Sequence, residues 1–145
     1  MKNNIFDLTD QVALVAGGSS GLGLQFAKAM ANAGANVAIV ARRTDRLEKN
    51  AKEIAAEYGV EVSPHYLDLC DSKSVTKCVE DVIAHFGKID ILVNSGGTGG
   101  SGDPATMTDE QWSHVVDTDL TGLFYLCRDV SRLSMIPNNY GRIVN

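Results

Sequence analysis

The sequence predicts a doubly wound α/β fold: one parallel sheet of five strands, covered by helices on both faces. Three observations predict it. Short runs of strand type alternate with longer segments of helical period, the runs are mostly apolar as strands buried on two faces should be, and the first run leads into a glycine-rich turn. The chain has 145 residues with 44% hydrophobic residues. A chain of that size hides roughly 70% of its extended surface on folding, so one domain can form without disulfides or a structural metal.

The elements follow in order. Gln11–Ala16, Asn36–Ala41, Val60–Leu67, Ile89–Asn94 and Arg142–Asn145 read as strands, and Pro64 places the third of them at a sheet edge. After the first strand, Leu24 to Ala33 is apolar and small, suited to a helix packed close to the sheet. Leu47, Ala51, Ile54, Ala55 and Tyr58 share one helical face, while Lys49, Lys52, Glu53 and Glu57 fill the other. Val75, Cys78, Val79, Val82, Ile83 and Phe86 repeat that spacing between an Asp71 N-cap and a Gly87 C-cap. A further helix opens at Thr108, where T-D-E-Q supplies a capping box with Gln111, and the chain from Trp112 to Met135 reads as mostly helical. Right-handed crossovers then give a Rossmann-type sheet with strand order 3-2-1-4-5, and its ligand is expected at the carboxyl ends of the strands.

Charge and composition narrow the function. Thirteen Lys and Arg stand against 18 Asp and Glu, a net charge of −5, and no dense basic run exists, which argues against nucleic acid or an anionic membrane as the main partner. No apolar stretch approaches the roughly 18 residues of a membrane span, and Met1 to Asp10 lacks the apolar core of a signal peptide, so a cytoplasmic location is expected. Three cysteines, odd in number and without a C-x-x-C pair, fit a reducing compartment. His65, His85 and His114 fall on different elements without metal-ligand spacing, so no metal is expected.

The chemistry concentrates in the loops after the strands. Residues 16–23 read A-G-G-S-S-G-L-G, which puts Gly17, Gly21 and Gly23 at a strand-to-helix turn with the spacing G-x-x-x-G-x-G. Unpaired backbone N–H groups and the helix dipole suit a diphosphate there, and the alternative reading is a turn that merely lets helix and strand pack closely. The second strand ends in Ala41-Arg42-Arg43, with no carboxylate for an adenosine 2′-hydroxyl. Guanidiniums suit a 2′-phosphate, so NADP is favoured over NAD, although both arginines can equally be solvated residues ahead of a helix. After the fourth strand, residues 96–102 hold five glycines in seven residues, as a backbone approached by a ligand or a mobile loop would.

These segments together resemble the short-chain dehydrogenase/reductase family over the whole chain. The glycine turn resembles the family's T-G-x-x-x-G-x-G, Ala41-Arg42 its NADP-preferring strand end, Leu67-Asp68-Leu69 its adenine-contacting segment, and Asn94-Ser95-Gly96-Gly97 its N-N-A-G. The resemblance implies that Gly17, Ser19, Ser20, Gly21, Leu22 and Gly23 line the diphosphate, Asp68 and Leu69 the adenine, and Asn94, Ser95 and Gly96 the nicotinamide-side ribose. It further implies a hydride transfer between the nicotinamide of NADP and a carbonyl or alcohol of a small substrate, of sugar-acid or 3-oxoacyl type. A homodimer or homotetramer is implied for the full-length protein, with Trp112 and Phe124 to Leu126 either at that interface or in the core.

The chain departs from the family pattern at several points. Ala16 replaces a Thr whose hydroxyl ties the turn to the loop after the fourth strand, and Ser95 and Gly97 alter N-N-A-G. In V-V-D-T-D-L-T-G, Asp119 stands where the family has a catalytic Asn, and an ionised Asp accepts but does not donate. The family also uses a Ser and a Tyr with Lys four residues later. Here Tyr58, Tyr66, Tyr125 and Tyr140 are followed at that distance by Val62, Cys70, Asp129 and Val144. The expectation is therefore a single dinucleotide-binding domain over 1–145, incomplete at its C-terminus, inactive alone, and sticky at Ile143 and Val144. The rival expectation is a non-catalytic nucleotide-binding or partner-binding module.

Overall fold

The computed structural model describes residues 5–99 and 102–145; Gly100 and Ser101 of the glycine-rich loop, and the first four residues of the N-terminal segment, lie outside the described residues. The strands are β1 (Val12–Ala16), β2 (Asn36–Ala41), β3 (Val62–Tyr66), β4 (Ile91–Asn94) and β5 (Arg142–Val144). The helices are α1 (Gly21–Asn32), α2 (Thr44–Tyr58), α3 (Ser72–Phe86), α4 (Asp109–Val116) and α5 (Leu123–Val130). All strand pairs are parallel and the order is β3-β2-β1-β4-β5, as expected, with β3 and its Pro64 at one edge.

The central strand is buried throughout, and alternate residues serve opposite faces. Leu14 and Ala16 join the core under α3 and α5, with Val75, Val79, Leu92 and Leu126; Ala13 and Val15 join the core under α1 and α2, with Ala27, Val37, Leu47 and Ile54. A strand with two apolar faces has no polar alternation to display, which is why β1 reads as a continuous apolar run.

β4 starts two residues later than the sequence suggests. Asp90, buried at the amino end of the sheet, accepts the Val12 N–H through Oδ2 at 2.9 Å and pairs with Lys88. A side chain thus replaces a ladder bond there. The Asp71 cap of α3 accepts the Lys73 N–H, Gly87 forms its left-handed C-cap, and the Thr108 capping box is complete on both sides. The helical segment from 109 to 135 is continuous but widens into two π turns, Asp117–Gly122 and Ser131–Met135, which the 3.6-residue pattern does not announce. In the first of them Gly122 sits against Leu69, where a Cβ would lie 2.4 Å from the Leu69 carbonyl oxygen. Of the apolar residues on this segment, Leu126 is core, whereas Trp112, Leu120 and Phe124 are about 60% exposed. Ile143 and Val144 of β5 are also exposed. Among the described residues no helix is long and apolar enough to cross a membrane.

Candidate functional site

A crevice of about 520 Å³ opens at the carboxyl ends of the strands, where the loops after β1, β2, β3 and β4 converge. Its walls carry nine of the residues singled out from the sequence: Gly17, Ser19 and Ser20; Arg42 and Arg43; Asp68 and Leu69; Ser95 and Gly96. Cys70 and Thr118, which the sequence reading did not place there, complete one end, with Cys70 Sγ 3.1 Å from Thr118 Oγ1.

The turn after β1 is shaped by two close approaches. Gly17 has φ +81, and a Cβ on it would lie 2.6 Å from the Ser95 carbonyl oxygen. Gly23 is buried rather than on the crevice wall; a Cβ there would lie 2.3 Å from the Gly17 carbonyl oxygen. Its role is to let the first turn of α1 lie on the loop that precedes it. The tie that Ala16 cannot make with a hydroxyl is made by backbone instead, since the Ser95 N–H donates to the Ala16 carbonyl at 3.2 Å.

The N-terminus of α1 is electrostatically open. Ser20 is its N-cap but makes no side-chain capping bond, and the first turn holds no acidic residue. The N–H groups of Gly21, Leu22 and Gly23 therefore have no partner within the described residues, in contrast to the capped ends of α3 and α4. Ser20 Oγ instead accepts from Arg43 Nη2 at 3.1 Å, and Ser19 Oγ lies 3.5 Å from the same nitrogen. Arg42 is exposed on the crevice wall and makes no hydrogen bond or ion pair among the described residues. This is a site with positive and hydrogen-bond-donating walls on one side.

The opposite side is set by the β3 and β4 loops. The Asp68 N–H donates to Ser74 Oγ, and Asp68 Oδ1 accepts the Cys70 N–H, each at 3.0 Å. Leu69 presents its side chain to Gly96. Asn94 lies behind the wall: its Nδ2 donates to Asn145 Oδ1 at 2.8 Å and to Cys127 Sγ at 3.3 Å, while its buried Oδ1 has no partner. Asp119, in the first π turn, accepts the Thr98 N–H through Oδ1 at 2.8 Å and packs on Gly97. It thereby anchors the glycine-rich loop rather than standing free.

One residue and one pairing escaped the sequence reading. Asn50 of α2 is buried and its Nδ2 reaches the carbonyls of Gly18 and Ser19; the available signal was a polar residue on an apolar helical face. His65 and His85, assigned to separate elements, meet edge to face at 6.0 Å because α3 packs on β3. Among the described residues no group of three His, Cys, Asp or Glu side chains is placed to hold a metal.

Comparison with known proteins agrees with this architecture. An NADP-dependent mannitol dehydrogenase of Alternaria alternata is 37% identical over 130 residues, 88% of this chain and 49% of that protein. A 3-oxoacyl-acyl-carrier-protein reductase of Chlamydia muridarum is 34% identical over 138 residues, 95% of this chain and 55% of that protein. The solved structure of a variant actinorhodin polyketide ketoreductase with NADPH superposes with a TM-score of 0.88 at 37% identity, covering 93% of this chain and 52% of that one. The chain spans about half the length of the curated relatives it matches. The short chain dehydrogenase family model matches residues 11–145, from the start of β1 through β5, and with the strand order and the glycine turn it establishes that the chain belongs to that family.

Proposed function

We propose that the full-length protein is an NADP-preferring oxidoreductase, and that residues 1–145 form its dinucleotide-binding domain. The observation that carries this is one crevice holding both an uncapped helix N-terminus and two guanidiniums. The residues fit a dinucleotide phosphorylated on its adenosine. Gly17 lets the turn close against the Ser95 backbone with φ +81, the free N–H groups of Gly21, Leu22 and Gly23 suit a diphosphate, and Arg42 and Arg43 suit a 2′-phosphate. Ser19 and Ser20 add hydroxyls on the same wall, Asp68 and Leu69 border the adenine end, and Ser95 and Gly96 the nicotinamide-side ribose, with Asn94 supporting them from behind.

When bound, the nicotinamide supplies the hydride donor or acceptor. The chain's own residues bind and orient. Asp119 holds the Thr98 N–H with one oxygen and has the other to accept from a water, which supports a positioning role beside the reacting centre. No Tyr here has a Lys four residues on, and the relatives are about twice as long, so the proton donor and carbonyl-polarising groups are assigned to chain outside these residues. A carbonyl or alcohol of a sugar-derived or 3-oxoacyl substrate is the class proposed. The exposed stripe of Trp112, Leu120 and Phe124 supports self-association, and three free thiols support a reducing, cytoplasmic setting.

Calorimetric titration of the full-length protein with NADPH and NADH tests the reading. NADPH is expected to bind more tightly, with hydride transfer to ketone substrates. Equal affinities overturn the cofactor preference; binding without turnover of any ketone or sugar acid supports a non-catalytic module instead.

A further inference from the structure

Asn50 sits on the face of α2 that Leu47, Ala51 and Ile54 otherwise fill, and it is 8% exposed. An amide among aliphatic side chains is costly unless bonded, and an apolar residue would pack α2 on the sheet more cheaply. Its Nδ2 donates to the Ser19 carbonyl at 3.1 Å and to the Gly18 carbonyl at 3.3 Å. A trans peptide directs its C=O and the following N–H to opposite sides. Drawing these two carbonyls toward α2 therefore turns the N–H groups of Ser19 and Ser20 away from it, and neither has a partner within the described residues. Ser19 and Ser20 line the crevice.

We infer that Asn50 is a positioning residue for dinucleotide binding: it pins two carbonyls of the glycine turn so that the adjoining N–H groups form a fixed anion-binding surface. The inference rests on the cofactor reading above. It assigns α2 two distinct tasks. Arg43, just before the helix, holds the Ser20 hydroxyl and discriminates between dinucleotides, whereas Asn50 acts on the turn both dinucleotides share.

The test uses full-length protein with Asn50→Leu, which removes the donor and keeps the branching of the side chain, and Asn50→Ala, which leaves space for water should the bulkier first variant fold poorly. Calorimetry is expected to show NADPH and NADH weakened by the same factor, about tenfold, as for loss of roughly one hydrogen bond's worth of order. Without cofactor, backbone NMR order parameters are expected to fall at Ser19 to Gly21 while those in β1 stay unchanged. Affinities within twofold of the unsubstituted protein in a folded variant overturn the inference, as does a change in the NADPH to NADH ratio. A lower melting temperature with affinity retained also overturns it, because Asn50 would then be structural only. If the unsubstituted protein binds neither dinucleotide, the cofactor reading itself has failed, which is a different result from affinity retained in the variants.

Discussion

Arg43 Nη2 donates to Ser20 Oγ at 3.1 Å, joining the residue before α2 to the N-cap of α1 across the mouth of the crevice. The Ser20 hydroxyl accepts this bond and caps no N–H of α1, so the guanidinium and the open helix end lie side by side. Phosphate bonds to Arg are charge-assisted, and one such bond contributes about 1.5–3 kcal/mol. Arg43→Ala is accordingly expected to weaken NADPH by about 10- to 100-fold and NADH by less than about threefold. Arg42→Asp, which puts a carboxylate at the end of β2, is expected to narrow or reverse the preference. Isothermal titration with both dinucleotides measures each, and equal losses for the two would refute a 2′-phosphate role for Arg43.

Gly23→Ala sets two effects against each other. Ala is favoured over Gly in a helix interior by about 1 kcal/mol, but the new Cβ would meet the Gly17 carbonyl oxygen at 2.3 Å, and both atoms belong to backbone. Overpacking of that kind costs about 1–3 kcal/mol or more, so the clash wins. Urea unfolding is expected to show net destabilisation, and NADPH affinity is expected to fall, because the loop that yields is the one proposed to bind. A stabilised variant would show that α1 can move off the turn freely.

Much of this arrangement was legible from the chain alone, and the parts that were not share a cause. Asn36–Ala41 coincides with β2 residue for residue because a strand buried on both faces advertises itself as an apolar run. Asp71, Gly87 and Thr108 were readable because caps are local chemistry. The crevice residues were readable where a loop sits at a strand's carboxyl end. Contacts between elements distant in sequence were not: the Asn50 bonds join residues 31 and 32 positions apart, and the Asp119 to Thr98 bond spans 21. The π turns escaped for another reason, since no residue pattern separates five-residue from four-residue hydrogen bonding.

His65 gives the fold a pH dependence of known sign. Burial lowers its pKa from the usual 6.5, and repulsion from His85 adds to that, with Lys77 in the same sense and Asp81 opposing. Ser63 Oγ lies 2.9 Å from its Nε2, and Glu61 engages His85 rather than His65. A histidine held neutral in the folded state binds fewer protons than its unfolded counterpart just below pH 6.5. Stability is therefore full above that value and falls as pH drops below it, until the folded-state pKa is reached. One proton sets a limit of about 1.4 kcal/mol per pH unit. Urea titrations between pH 7.5 and 5 are expected to show a shallower decline for His65→Gln than for the unsubstituted protein; parallel curves would remove His65 as the source.

The cysteines separate by environment, and one of them reports on the crevice. Cys78 is buried in the core under α3, which pushes its thiol up to about 12, so almost no thiolate exists at neutral pH. Cys70 is exposed and lines the crevice beside Thr118. Iodoacetamide at pH 8 is expected to alkylate Cys70 in the native protein and Cys78 only after unfolding, as read by peptide mass. Saturating NADPH is expected to slow Cys70 alkylation several-fold if the adenine end fills the space between Asp68 and Thr118, because the thiol then loses access to reagent. Cys70→Ser abolishes that protectable signal and keeps a hydrogen-bonding group beside Thr118 Oγ1, so cofactor affinity in this variant is expected to stay near that of the unsubstituted protein. Alkylation of Cys70 at an undiminished rate under saturating NADPH would place the bound nucleotide away from the β3 loop.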